Sequence, residues 1–427
     1  MSSQELTSEF MIASFGMART ESDKIAFFGA LAPAIEKGSV QVDEALAGMV
    51  AKVATAEGMQ AIPEAARPAL FAILNTCSGH PFDKAMSVIS EATERRGSYL
   101  RGILTKIVED HFGEVGPLTK HISRQAAAGD TNMQSVLAAI VEKSPSQTSE
   151  ALTAVKEVVV PSGLDRDNVR KSKQNTTRII IFKYPDQIDE TVAEYIAEAA
   201  VVEGQSSREG KENLAFVLQN RADMIDAALM VVKTAATQEN IYGCTEAFMA
   251  VETFVENCPV RAVEFVPAVQ AALAIKDRQH ELCCHGLVTA AKIITHRPDL
   301  AKEFIPLVKT ALAHTEDENI PLAAMNFVRV MAKVCPGQID LDMAKSVVSI
   351  AYIENKLWNS ALQTFDLLAT ECSDLIPEAL AIVDELPMIG DVAQTKEWKT
   401  RELGQMTEQN SNKNLRHVTR QLLALAA

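Results

Sequence analysis

Aromatic residues are scarce in this chain, 5% of 427 residues with 2 Trp and 5 Tyr, and proline and glycine are sparse at 16 and 19. An all-β protein built on tight turns uses more of both turn formers, so the composition favours long helices with short joints. No run approaches the ~18 apolar residues that a membrane-spanning helix needs. Met1 to Phe10 lacks the basic-then-apolar order of a signal peptide. Positive charge is also in deficit, with 41 Lys and Arg against 56 Asp and Glu, for a net charge of −15. Nucleic-acid binding draws most of its affinity from Lys and Arg on phosphates, so this balance argues against it. The 7 cysteines are odd in number and never stand in CxxC spacing, which reads as reduced thiols in a cytoplasmic protein. GxSxG, GxGxxG and EF-hand patterns are missing as well.

What the chain has in quantity is small or flexible apolar residues, within a hydrophobic share of 47%. In the N-terminal half they recur at helical spacing. Tyr99, Leu100, Ile103, Leu104, Ile107, Val108 and His111 form one stripe, and Met133, Val136, Leu137, Ile140 and Val141 another, with Thr131 placed to cap. Breaks at Gly38-Ser39, Ser78 to Pro81, Gly113 to Pro117, Gly129-Asp130 and Ser144-Pro145 divide residues 10–160 into roughly eight helices. The stretch 161–186 carries Arg166, Arg170, Lys171, Lys173, Arg178 and Lys183 against Asp165, Asp167 and Asp186, a net +3 that leaves −18 for the rest. Being polar and aperiodic as far as Thr177, it reads as a linker or irregular connector. Ile179 to Phe182 reads as a helix start or a buried extended plug.

The C-terminal half repeats. Val232-Lys233-Thr234-Ala235, Val269-Gln270-Ala271-Ala272 and Val308-Lys309-Thr310-Ala311 are successive versions of one segment. Joints at Ala222, Pro259, Pro298, Pro336 and Ser373 are spaced 37 to 39 residues apart. Counted back from the last four joints, columns emerge: Phe254, Ile293, Met331 and Leu368; Val251, Ala290, Val328 and Phe365; Phe248, Leu287, Met325 and Leu362. Beside them runs a small column, Ala247, Gly286, Ala324 and Ala361, which lets a neighbouring helix approach closely. Helix pairs too small to bury their own faces stack in this way.

The period, Pro267 and Pro306 in the first helix, and a polar turn with Asp277 or Asp317 resemble HEAT repeats, over about 187–372. HEAT repeats usually carry a basic residue early in the second helix; here Cys283 and Pro321 stand there. The resemblance implies an all-α, right-handed α-α superhelix of the HEAT-like solenoid type, with a period of 37–39 residues in the C-terminal half. The expected organisation is an N-terminal helical region 10–160, the connector 161–186, HEAT-like repeats over 187–403, and a polar loop with a C-terminal helix over 404–427. That last helix carries Leu415, Val418, Leu422 and Leu425 on one side, and is expected either to cap the array or to dock a partner or a second copy.

Two motifs with chemical promise fall to packing. His280 and His285 are five apart, about 140° round a helix, and so cannot share a metal as residues four apart do. Cys283 shares its column with Cys244, and Cys258, Cys335 and Cys372 share another, as buried small hydrophobes would. Gly204 to Glu212 misses the phosphate-loop spacing by one residue and has Glu212 where Ser or Thr should stand, and reads instead as an interhelical turn. No catalytic residue, metal site or cofactor is therefore assigned. The reading is a non-enzymatic scaffold or adaptor that binds another protein on its second helices. Glu252, Glu256, Arg329, Lys333, Gln363 and Asp366 are the candidate contacts by column position. The alternative is an enzyme on a helical-repeat scaffold, such as a HEAT-like DNA glycosylase, which needs a continuous basic groove.

Overall fold

The structure is a computed structural model, and it describes residues 6–381 apart from 57–60, 97–99, 112, 114, 161–165, 203–205, 238–240, 275–279, 315–316 and 354–356. Tyr99, Asp277 and the C-terminal helix expected after residue 404 lie outside the described residues. The chain falls into two compact units, Met1–Val192 and Ala193–Ala427.

The first unit holds α1 (Ser8–Met17), α2 (Glu21–Glu36), α3 (Glu44–Ala54), α4 (Ala61–Thr76) and α5 (His80–Arg96). It continues with α6 (Arg101–Asp110), α7 (Gly116–Ala127), α8 (Thr131–Lys143), α9 (Thr148–Lys156) and α10 (Arg166–Lys183). Alternate helices stack, α1, α3, α5, α7 and α9 in one layer and α2 on α4, α6 on α8 and α8 on α10 in the other. Gly38, Gly79 and Gly129 adopt positive φ at three of the predicted breaks, a conformation closed to most side chains. Ile103, Leu104, Ile107 and Val108 of α6 are buried, as are the five apolar residues of the α8 stripe. The α8 cap is Asp130 rather than Thr131: its carboxylate accepts from the amides of Asn132 at 2.9 Å and Met133 at 3.2 Å.

The stretch expected to be an irregular connector is instead largely helix, and the division between the units falls after it. α10 buries Lys173, Gln174, Thr176, Thr177, Ile180 and Ile181. Thr176 and Thr177 donate to the carbonyls of Ser172 and Lys173 at 2.8 and 2.9 Å, so their hydroxyls enter the interior satisfied. Lys173 donates to the Lys156 and Val158 carbonyls at 3.0 and 3.2 Å, closing the C-terminal end of α9. A helix whose inner face is threonine, glutamine and lysine shows no apolar period.

α11 (Glu190–Ala200) leads into the second unit, followed by α12 (Ser206–Asn220), α13 (Ile225–Ala236), α14 (Ile241–Asn257), α15 (Val266–Leu273) and α16 (His280–His296). The remaining described helices are α17 (Ile305–Leu312), α18 (Asn319–Val334), α19 (Leu341–Ile353), α20 (Trp358–Glu371) and α21 (Ile376–Ala381). Here α12, α14, α16, α18 and α20 stack as one layer, α13, α15, α17, α19 and α21 as the other, and α13·α14, α15·α16, α17·α18 and α19·α20 pair across. This is the stacked-pair arrangement of a HEAT-like solenoid.

Every residue of the four columns through Phe254, Val251, Phe248 and Ala247 is buried, including Ile293, Met331 and Leu368. The small column works as expected. A methyl group added at Gly286 would lie 3.2 Å from Leu273 Cδ2 and 3.3 Å from Ala272 Cβ, so α15 rests almost against the α16 backbone. Gly210, twelve before the Ala222 joint, is a fifth member. A methyl group there would lie 2.7 Å from the Ala199 carbonyl, so α11 and α12 touch backbone to backbone.

The joints share one backbone form. Tyr184, Arg221, Cys258, Arg297, Cys335 and Cys372 have φ between −131° and −151° and ψ between 44° and 74°, and each carbonyl accepts from the amide three residues on. Pro185, Pro259, Pro298 and Pro336 follow this residue where an amide hydrogen is not needed, opening a 3₁₀ turn. Pro185 is thus a joint one period before Ala222. At Ala222, which lacks the proline, Arg221 closes the turn on Asp223 through bonds of 2.8 and 2.6 Å. Arg297 does the same to Asp299 at 2.9 and 2.7 Å. Joints also bond to their predecessors: Gln338 donates to the Pro298 carbonyl at 3.2 Å, and the Cys372 thiol to that of Pro336 at 3.7 Å.

Candidate functional site

The candidate residues lie on α14, α18 and α20, all in one layer, because the columns that bury Phe254 and Met331 turn the residues between them outward. The structure divides them into three settings. Lys333 and Gln363 are exposed. Glu256 is exposed and ion-paired with Lys292 of α16. Arg329 is half-buried, donates to Gln363 at 3.1 Å and also to Asn326, and burial lowers its pKa.

Glu252 and Asp366 are the less expected pair. Both are half-buried, and burial raises the pKa of each carboxyl from its ordinary value. Glu252 accepts from Thr289 Oγ1 at 3.1 Å. Asp366 has its Oδ1 buried with no hydrogen-bond partner, a costly position for a carboxylate and a ready acceptor for an incoming donor.

Of the six, only Arg329 and Gln363 meet one another directly in a described bond. The other bonds go to residues that column position alone did not select, Thr289, Lys292 and Asn326. The signal was a slant. Glu252 to Thr289, Glu256 to Lys292 and Arg329 to Gln363 each link a residue to one that stands two or three places earlier in the next repeat. Two further rungs cross α12 and α14. Gln219 donates to Asn257 at 2.7 Å, and Lys211 pairs with Glu246 at 3.1 Å with side chains only 17% and 14% exposed. Lys211 is the lysine of the near-miss phosphate loop; it sits within α12, committed to this ion pair.

The cysteine columns are thiols held by packing. Cys258 and Cys283 are buried, Cys335 and Cys372 half-buried, and burial raises the pKa of each. Burial pushes the Cys284 thiol up to about 11. Such thiols stay protonated and poorly nucleophilic at neutral pH. The side chain of Cys244 lies outside the described residues. His280 bonds Asp317 at 2.7 Å, and among the described residues no group of three or more His, Cys, Asp and Glu is placed to hold a metal. Among the same residues no helix is long and apolar enough to cross a membrane.

No protein-family model matches the chain, and no curated protein matches it. Solved structures do. One is that of Kap95p with RanGDP, at 12% identity and a TM-score of 0.47, covering 100% of this chain and 66% of that one. A second is karyopherin Kap121p bound to Nup53p, at 10% identity and 0.41, covering 93% and 45%. A third is importin beta, at 12% identity and 0.38, covering 97% and 66%. The chain thus spans about half to two thirds the length of these proteins.

Proposed function

We propose that the chain is a non-enzymatic scaffold that holds another protein on the outward face of α14, α16, α18 and α20. One observation supports this most: the four helices offer, side by side, polar groups of both signs, with Glu252, Glu256, Arg329 and Gln363 held by cross-repeat bonds. Glu252 and Glu256 are acidic, Arg329 and Lys333 basic, and Asp366 acidic again, with one carboxylate oxygen awaiting a donor. A strip of mixed sign favours recognition of a complementary strip over the single-sign field that a nucleic acid requires. Side chains already pinned in place lose little freedom on binding.

The test is the double variant Glu256→Lys with Lys333→Glu, both at exposed positions, with an unaltered melting point as its control. Partners cross-linked to the wild-type chain in its native cell should be lost from this variant. They should be retained by Lys302→Glu, an exposed substitution in the turn that precedes α17. Equal capture by wild type and double variant would refute the proposed face.

A further inference from the structure

The first unit carries a surface of the opposite electrostatic character. The one strongly basic stretch of this acidic chain, net +3 over 161–186 against −18 for the remainder, has its six Lys and Arg on α10. Folding sorts its cations. Lys173 is buried on the carbonyls that end α9, and Lys183 stands 3.7 Å from Glu142. Arg166, Lys171 and Arg178 stay exposed. Lys171, Asn175, Arg178 and Phe182 follow at intervals of 4, 3 and 4, one face of the helix. Phe182 is 46% exposed, and the Arg178 guanidinium lies 5.0 Å from its ring centroid.

Beside that face runs a groove of about 610 Å³ between α10 and the start of α8. Thr131 and Gln134 line one wall, and Asn168, Lys171, Ser172 and Asn175 the other. Its volume falls within the roughly 300–1,000 Å³ of ordinary ligand sites. No carboxylate lines it. The nearest on the α8 side, Asp130, is turned into the helix to cap it, and Asp167 is exposed on the first turn of α10. Amide and hydroxyl side chains offer both donors and acceptors, the set that an extended peptide main chain satisfies.

We propose that this groove, with the basic face of α10 beside it, holds an extended acidic segment of a partner protein. The main chain of the segment pairs with Gln134, Asn168 and Asn175, while its carboxylates meet Lys171 and Arg178. Charge selects the occupant. The cationic face is small and the rest of its own unit carries more acidic than basic residues, so a short acidic segment gains the local attraction while a long polyanion also meets negative charge around it. This surface uses none of the residues of the strip on α14 to α20, and either can fail without the other.

The probe is a fluorescein-labelled twelve-residue peptide of Asp, Glu and Ser, followed by fluorescence anisotropy at low salt on the full chain. Its controls are the same peptide with Asn and Gln in place of the acids, and a labelled thymidine oligonucleotide of equal length. The acidic peptide should bind at least tenfold tighter than the neutral one, and weaken as salt is raised. Lys171→Gln with Arg178→Gln should reduce its affinity at least tenfold, with Lys52→Gln, an exposed change on α3, leaving it unaltered. Lys171→Gln alone serves if the double variant melts early. The proposal is overturned if the acidic peptide binds no better than the neutral one, or if the α10 variants bind it as the wild type does. It is also overturned if the oligonucleotide binds tighter and is the ligand those variants lose.

Discussion

Gly210→Ala sets two large effects against each other. On the helix-forming scale alanine in α12 is favoured over glycine by about 1 kcal/mol. Against that, the new methyl group would lie 2.7 Å from both the carbonyl carbon and oxygen of Ala199 and 2.8 Å from the Ala200 amide nitrogen. Comfortable contacts between such atoms begin near 3.5 Å, so α11 and α12 must part by most of an ångström, and backbone cannot rotate aside. Overpacking of this kind costs about 1–3 kcal/mol, and a backbone clash belongs at the upper end. The net effect is a loss of about 1–2 kcal/mol. In a cooperative unit of this size that is a drop in melting temperature of roughly 2–8 °C. Gly286→Ala is the matched control, with the same propensity gain in the same column. Its methyl would meet Leu273 Cδ2 at 3.2 Å, the end of a side chain that can turn aside, and Ala272 Cβ at 3.3 Å, a contact relieved by a shift of a few tenths of an ångström. Its net change should lie within about 1 kcal/mol of zero. Urea and thermal unfolding followed by far-UV circular dichroism give both numbers. The reasoning is refuted if Gly210→Ala is as stable as wild type, or if Gly286→Ala costs more than Gly210→Ala.

Two further substitutions probe the polar rungs. Glu246→Ala strands Lys211, whose side chain is 17% exposed, and should cost about 1–3 kcal/mol, most of it recovered in Lys211→Met with Glu246→Leu; additive losses in a double-mutant cycle would argue against coupling. Asp366→Asn should raise stability at pH 7 by about 0.5–1 kcal/mol, because the charged form has a buried oxygen without a partner. The folded-state pKa of Asp366 lies above its unfolded value, so the native state holds the proton more readily. The penalty is therefore full above the folded pKa and fades as pH falls through it; a gain from Asn that persists unchanged at low pH would contradict this account.

The fold was legible in the sequence wherever packing uses apolar residues at fixed offsets. The columns through Phe254, Val251 and Phe248 recur because each second helix meets the next in the same way, and all are buried. α10 was hidden because, ahead of Ile180 and Ile181, its inner face is Lys173, Gln174, Thr176 and Thr177, residues that hydrophobic periodicity counts as solvent-facing. The joint at Pro185 was hidden for the same reason, since it follows a helix whose columns are polar. At the candidate face, column position found residues that do point outward, yet it could not see that Glu252 and Asp366 are half-buried. Column position also treated repeats as level, so the two- or three-residue slant that pairs Glu252 with Thr289 and Arg329 with Gln363 went unread.

The rungs of the second unit, from Lys211–Glu246 to Arg329–Gln363, join residues only 34 to 38 positions apart, and the joint bonds reach from Gln338 to Pro298 and from Cys372 to Pro336. Each helix pair is therefore tied to its immediate neighbours. Such a chain has low contact order: ordering can begin at any pair and spread by addition, with no distant strand to await. Pulled from one end, it would yield pair by pair, each step paying out one period of chain, and a bound partner spanning two pairs would act as a local brake on that unravelling.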